Sequence, residues 1–157
     1  MDVETTFQVQ ELQARYVQAL DDDRLEAWPD FFTDTCRYLV TTADNVAQGM
    51  PLGMIYATSR AMLRDRVRSL REANVYEAQR YRHVIAPPVI EEGEGGIVRA
   101  QTHFMVARIM HTGETVLFAT GRYDDRIVLD GPDALRFKEK VVVLDSRQID
   151  TLLAIPI

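Results

Sequence analysis

The spacing of apolar residues changes character once along the chain, near residue 80. Before that point helical stripes prevail. From Thr6 to Leu20, apolar side chains recur at Phe7, Val9, Leu12, Tyr16, Ala19 and Leu20 with polar residues between them, which predicts an amphipathic helix. Asp21-Asp22-Asp23 ends it and offers an N-cap for a short second helix over Arg24–Phe32, kinked or begun near Pro29. Cys36–Thr42 is dense in β-formers and reads as a first strand. Asp44–Ala57, with two glycines and Pro51, reads as a loop. Ser59 then caps a third helix over Arg60–Ala73, whose stripe is Leu63, Val67 and Leu70 with Met62 beside it.

Beyond residue 80 the period shortens towards two. Arg80–Glu91, Ile97–Met110, Glu114–Leu129 and Ala134–Ile149 are long β-rich segments. Glu92-Gly93-Glu94-Gly95-Gly96, His111-Thr112-Gly113 and Asp130-Gly131-Pro132-Asp133 separate them as turns, so the strands form an antiparallel meander. Val98, Ala100, Thr102, Phe104 and Val106 share one half-buried face, and Pro87-Pro88 marks a bulge or an edge. The order α-α-β-α-β-β-β-β predicts an α+β domain over residues 1–157, with helices on one face of a curved, mostly antiparallel sheet. It matches the cone of the nuclear-transport-factor-2-like (NTF2-like) superfamily. Isomerases, dehydratases and structural subunits share that cone, so the fold alone assigns no chemistry.

Composition narrows the partners. Of the 157 residues, 46% are hydrophobic and 27% charged, the balance of a soluble globular chain. A net charge of −6 argues against nucleic acid as the main partner. No apolar run approaches the roughly 20 residues that span a bilayer. The acidic start Met1-Asp2-Val3-Glu4 lacks the features of a secretion signal, so a cytoplasmic location is expected.

The metal-ligand inventory is short. Cys36 is the single cysteine, whereas a Rieske cluster needs two cysteines and two histidines. It reads as a buried, inert thiol. The histidines are His83, His103 and His111. A non-haem iron site needs two histidines and a carboxylate on one ion, and eight residues of strand hold His103 and His111 about 27 Å apart. The expectation is that this chain holds no metal or other cofactor.

Three features remain. Tyr16, Asp22, His83 and His103 are the candidate acid–base set of a stand-alone cone enzyme; the alternative is that both histidines are hydrogen-bonded strand residues. Sixteen arginines stand against Lys138 and Lys140, and five of them, Arg60, Arg64, Arg66, Arg68 and Arg71, lie on or around the third helix. A solvated helix face is one reading. Arginine's bidentate pairing with carboxylates favours an interface, to which Arg80-Tyr81-Arg82-His83 would also belong. Finally, Leu152-Leu153-Ala154-Ile155-Pro156-Ile157 is apolar throughout, which implies burial against the fold's own sheet or against a partner. The expected interface set is Arg64, Arg68, Arg80, Arg82, His83, Leu153, Ile155 and Ile157.

Trp28-Pro29-Asp30-Phe31-Phe32 with Cys36-Arg37-Tyr38, Arg64-Asp65-Arg66-Val67 and Arg82-His83 resemble the small (β) subunits of Rieske-type aromatic-ring-hydroxylating dioxygenases. Arg71–Glu77, Arg80–His83 and the long block Phe104–Thr115 look like the terephthalate branch of that family; salicylate and anthranilate hydroxylase small subunits are similar. The likeness runs from about Leu12 to the apolar tail. It implies a cone-shaped subunit of an α3β3 hexamer whose large α subunit carries the Rieske [2Fe-2S] cluster and the mononuclear non-haem Fe(II). It further implies a homotrimer of this chain within the hexamer, a separate reductase drawing on NADPH or NADH, and no catalytic residue here. The rivals are a cone-fold dehydratase or isomerase using His83 with Tyr16 or Asp22, and a homo-oligomeric module that binds a small acid.

Overall fold

A computed structural model describes residues 1–50, 53–73, 78–132, 134–147 and 155–157. Helix α1 spans Val3–Asp21, opened by Asp2, whose carboxylate accepts the Thr5 N–H at 2.7 Å. It buries Val9, Leu12, Tyr16, Ala19 and Leu20, the predicted stripe without Phe7, which stays exposed, and adds Val17 and Gln13 to the buried face. Leu25–Phe31 is a 3-10 helix rather than an α-helix. The aspartates do not cap it: its N-cap is Arg24, with no side-chain cap bond. Pro29 lies buried inside the turn, where the tighter winding tolerates it.

Strand β1, Phe32–Thr42, begins four residues earlier than expected. The segment read as a loop carries two elements, helix α2 over Ala43–Ala47 and strand β2 over Ile55–Ser59. The Thr42 hydroxyl caps α2 by accepting the Asn45 N–H at 3.2 Å. Helix α3 spans Arg60–Ala73, and the Ser59 hydroxyl accepts the Met62 N–H at 3.2 Å, as expected of a cap. Strands β3 (Gln79–Ile85) and β4 (Val89–Glu92) are one predicted segment divided at Pro87-Pro88. Proline cannot continue a hydrogen-bond ladder, so the pair both break the strand and let each half follow β5 separately. β5 (Val98–Met110), β6 (Thr115–Leu129) and β7 (Leu135–Leu144) complete the sheet.

The strand order is β2-β1-β7-β6-β5-β3, with β4 also on β5. Every pairing is antiparallel except β1 with β7, which is parallel. Irregularities in register bend the sheet: one in β1 between Thr35 and Tyr38, one where Phe118 is extra on β6, one where Lys138 is extra on β7. Gly121 permits the closest approach, since a Cβ there would meet the Val143 carbonyl oxygen. The sheet curls around α1, and its concave side carries the core of Trp28, Phe32, Tyr38, Tyr123, Phe137 and their neighbours. Ile155 and Ile157 belong to that same core. Of the two burials open to the apolar tail, these residues adopt the one within their own chain. Leu153 lies outside the described residues.

Candidate functional site

Two polar centres sit inside the cone. The first is a lysine. Lys140 on β7 is fully buried, its Nζ 3.0 Å from Asp125 Oδ2 on β6 and 3.3 Å from Gln13 Oε1 on α1. The Gln13 amide in turn donates to Asp125 and, at 3.3 Å, to Thr102 Oγ1 on β5. Three rings close the cage: Nζ stands 3.8 Å from the Tyr123 centroid, 4.1 Å from Phe137 and 4.5 Å from Tyr16. Burial pushes the Lys140 amine down to about 8, against the attraction of Asp125. Burial likewise raises the Asp125 carboxyl, against the pull of Lys140 and Gln13. The two groups hold each other charged in a place that favours neither charge. Asp125 Oδ1 and the Tyr123 hydroxyl, both buried, find no hydrogen-bond partner among the described residues.

The second centre is His83 with Asp21. Asp21, the last residue of α1, accepts the His83 backbone N–H at 2.9 Å with one oxygen and lies 2.6 Å from Nδ1 with the other. The carboxylate thus clasps the outer edge of β3, which no further strand among the described residues covers. The His83 side chain is fully enclosed, and its Nε2 has no hydrogen-bond partner among the described residues.

The predicted acid–base set does not assemble. The carboxylate beside His83 is Asp21 and not Asp22, which is exposed and pairs with Arg24 at 3.7 Å. Tyr16 instead meets Trp28, Tyr38 and Ile157 across the core. His103 is exposed on the convex face beside Arg122, because successive strand residues point to opposite sides. His111 is exposed just after β5. Among the described residues, no group of three or more His, Cys, Asp or Glu side chains could hold a metal ion. Cys36 is buried and free, its thiol pushed up to about 11 by burial.

The expected interface residues divide by geometry. Arg64 and Arg68 are exposed on α3, with long contacts to Asp30 and Asp65 at 3.7 Å each. Such exposed pairs are worth little and exchange partners readily. Arg80 and Arg82 project outward from β3, whereas Tyr81 and His83 point inward. With Asp21–Asp23 and Ile155, the two arginines line a surface cleft of about 610 Å³. His83 and Ile157 are enclosed and Ile155, 5% exposed, meets that cleft only at its edge, so none of the three projects from the surface in this conformation. Sequence reasoning passed over Lys140, Asp125 and Gln13. The available signal was Asp125 between Tyr123 and Ile127, a charge on an otherwise apolar face.

The fold defines the class: a cone-shaped α+β domain of NTF2-like architecture, closed over its own side chains. Within that class the sequence is specific. The family described as "Ring hydroxylating beta subunit" matches residues 15–151, and the chain belongs to it. It is 47% identical over 151 residues to terephthalate 1,2-dioxygenase, terminal oxygenase component subunit beta 1, from Comamonas sp., covering 96% of this chain and 97% of that one. It is 40% identical over 156 residues to the anthranilate 1,2-dioxygenase small subunit of Burkholderia cepacia, covering 99% and 96%. A crystal structure described as the beta subunit of an aromatic-ring-hydroxylating dioxygenase from Novosphingobium aromaticivorans DSM 12444 superposes with a TM-score of 0.88 at 38% identity, over 99% of this chain and 100% of that one. The chain is therefore the small subunit of a ring-hydroxylating dioxygenase, which implies a large partner subunit. No helix among the described residues is long and apolar enough to cross a membrane.

Proposed function

We propose that this chain is the non-catalytic assembly subunit of a terephthalate 1,2-dioxygenase, trimerising within an α3β3 hexamer. The observation that carries this reading is the 47% identity to a terephthalate dioxygenase β subunit over nearly all of both chains. The large subunit supplies the Rieske cluster and the mononuclear Fe(II), and a separate reductase feeds electrons from NADPH or NADH. The product is a cis-dihydrodiol acid, and the complex is cytoplasmic. The redox chemistry belongs to those cofactors. This chain contributes the free energy that seats the large subunits, through interfaces of about 2,000 Å² or more per chain.

The geometry is consistent with that division of labour. The concave side, where cone-fold enzymes keep a pocket, is filled here by aromatic side chains and by Ile155 and Ile157. Arg64, Arg68, Arg80 and Arg82 provide exposed guanidinium groups for carboxylates of a partner. Coexpression with a ring-hydroxylating dioxygenase large subunit from the same source tests the reading. Native mass spectrometry gives a 3:3 complex that converts terephthalate, and the isolated chain converts nothing and holds no stoichiometric iron. Turnover or iron in the isolated chain overturns it. The anthranilate relative, at 40% identity over 156 residues, supports a second reading in which the substrate is anthranilate or salicylate. Parallel assays of the coexpressed complex on those acids separate the two.

A further inference from the structure

Tyr16 and Tyr38 aim their hydroxyls at one oxygen. Tyr38 donates to the main-chain oxygen of Ile157 at 2.9 Å, and Tyr16 donates to the same atom at 3.2 Å. Behind them, the Trp28 indole N–H donates to the Tyr16 hydroxyl at 3.1 Å, polarising it towards its acceptor. The surrounding walls are rings set edge-on, with Trp28 5.2 Å from Tyr38 and Tyr16 5.4 Å from Phe137. Burial holds both phenols above their usual range, so both remain donors at any ordinary pH. The positive charge of Arg66 also acts on the Tyr38 hydroxyl, which favours an oxygen bearing negative charge opposite it.

Apolar side chains could fill this chamber without desolvating anything, whereas two buried phenols are costly unless an acceptor answers both. The arrangement is a receptor for a carbonyl-type oxygen in an aromatic chamber. Its occupant is residue 157 of the same chain, with Ile155 packed beside it in the core. We propose that this chamber is a binding site for a small apolar molecule bearing a carbonyl or carboxylate oxygen, held closed in cis by residues 155–157. A ligand enters by displacing that segment, so tail and ligand compete for the same two hydroxyls.

Acetophenone and ethylbenzene test this, because they differ in a carbonyl against a methylene. Saturation-transfer NMR titrations compare the intact chain with a variant ending at Ala154. In the shortened chain acetophenone binds about tenfold or more tighter than ethylbenzene, the worth of two neutral hydrogen bonds. It also binds at least tenfold tighter there than in the intact chain, where residue 157 competes. Adding Tyr38→Phe lowers acetophenone affinity about fivefold and leaves ethylbenzene within twofold. Equal affinities for the two ligands, no gain on shortening, or indifference to Tyr38→Phe each overturn the proposal. If the shortened chain does not fold, full-length Ile155→Gly/Ile157→Gly carries the same comparison. If that chain also unfolds, millimolar acetophenone restores a cooperative transition where ethylbenzene does not, and the absence of selective rescue overturns the proposal equally.

Discussion

Removing Lys140 alone is the sharpest test of how the cone interior is held. In Lys140→Met, Asp125 keeps a fully buried carboxylate without its 3.0 Å partner, and Gln13 Oε1 loses the donor at 3.3 Å. Breaking a buried pair from one side costs about 3–5 kcal/mol. At roughly 2–4 °C per kcal/mol for a domain of this size, the midpoint of thermal unfolding falls by about 6–20 °C. Removing both charges in Lys140→Met/Asp125→Leu leaves no orphan ion, and replacement of a buried pair by apolar groups is often neutral or favourable. The double variant therefore recovers most of the loss, and the double-mutant cycle is strongly non-additive.

The pH dependence has a definite sign. The folded Lys140 amine titrates near 8 and the unfolded one near 10.5. Between those values the unfolded chain binds the extra proton, so burial of Lys140 is penalised in full below about pH 8 and is relieved as pH rises. Cys36 opposes it, because its folded thiol titrates near 11 and its unfolded one near 9.0, which removes stability with rising pH. The lysine is thus read from the difference between wild type and the double variant, both of which retain Cys36. That difference grows in favour of wild type from pH 8 to 10, by up to about 1.4 kcal/mol per pH unit. Urea titrations followed by the fluorescence of Trp28, the only tryptophan, measure both quantities. A single-variant cost below about 1 kcal/mol, an additive cycle, or a flat difference between pH 8 and 10 refutes the buried-pair account.

Three further outcomes follow from other parts of the molecule. Charge reversal at Arg64 or Arg68 weakens copurification with the large subunit and leaves the melting midpoint nearly unchanged, since their contacts at 3.7 Å are exposed; unaltered complex mass and activity reject the interface assignment. Asp21→Ala removes both bonds to His83 and costs about 2–4 kcal/mol, with amide exchange accelerating first in β3, and uniform exchange across the sheet counts against the edge clasp. Gly121→Ala places a Cβ against the Val143 carbonyl and costs about 1–3 kcal/mol, a loss that denaturant unfolding either finds or does not.

The elements legible in the sequence were those whose period was long and unbroken. α1, α3, β5 and β6 came within three residues of their predicted bounds because their apolar positions repeat over three or more turns or pairs. β2 was hidden because Gly49, Pro51 and Gly53 outweighed the five residues Ile55–Ser59, although Ile-Tyr-Ala-Thr-Ser carries strand propensity. The parallel pairing of β1 with β7, which adds a strand beside the predicted meander, is a long-range contact that no local pattern encodes. Lys140 was missed for a different reason. Strict alternation puts Lys138 and Lys140 on one face, but Lys138 is extra in the ladder between the Arg126–Glu139 and Ile127–Phe137 pairs. That bulge changes the parity of the strand, so Phe137 and Lys140, three residues apart, both face the core. The resemblance supplied the family. It could not supply the interior, since a bulge is a property of paired strands.

The filled cone bears on how such a chain would serve as an assembly subunit. Association costs the ordering of every side chain and segment that was mobile beforehand. Here α1 is tied to β3 by Asp21 and to β5, β6 and β7 through Gln13, Asp125 and Lys140, and β1 is tied to α3 by Arg60 on the Phe32 carbonyl. If Arg64, Arg68, Arg80 and Arg82 meet the partner, as proposed above, the elements that present them are already tied into the fold, and among the described residues the ordering falls mainly on their guanidinium side chains. The buried charges add to this in a way an apolar core does not. An apolar core tolerates repacking with modest loss, whereas a Lys140 displaced by one strand position loses Asp125, Gln13 and three rings together. A core of this kind is costly in stability and exacting in register. On the assembly reading, register matters in β3 as well, where a one-residue slip would turn Arg80 and Arg82 inward and Tyr81 and His83 outward, and there the Asp21 carboxylate on His83 holds it.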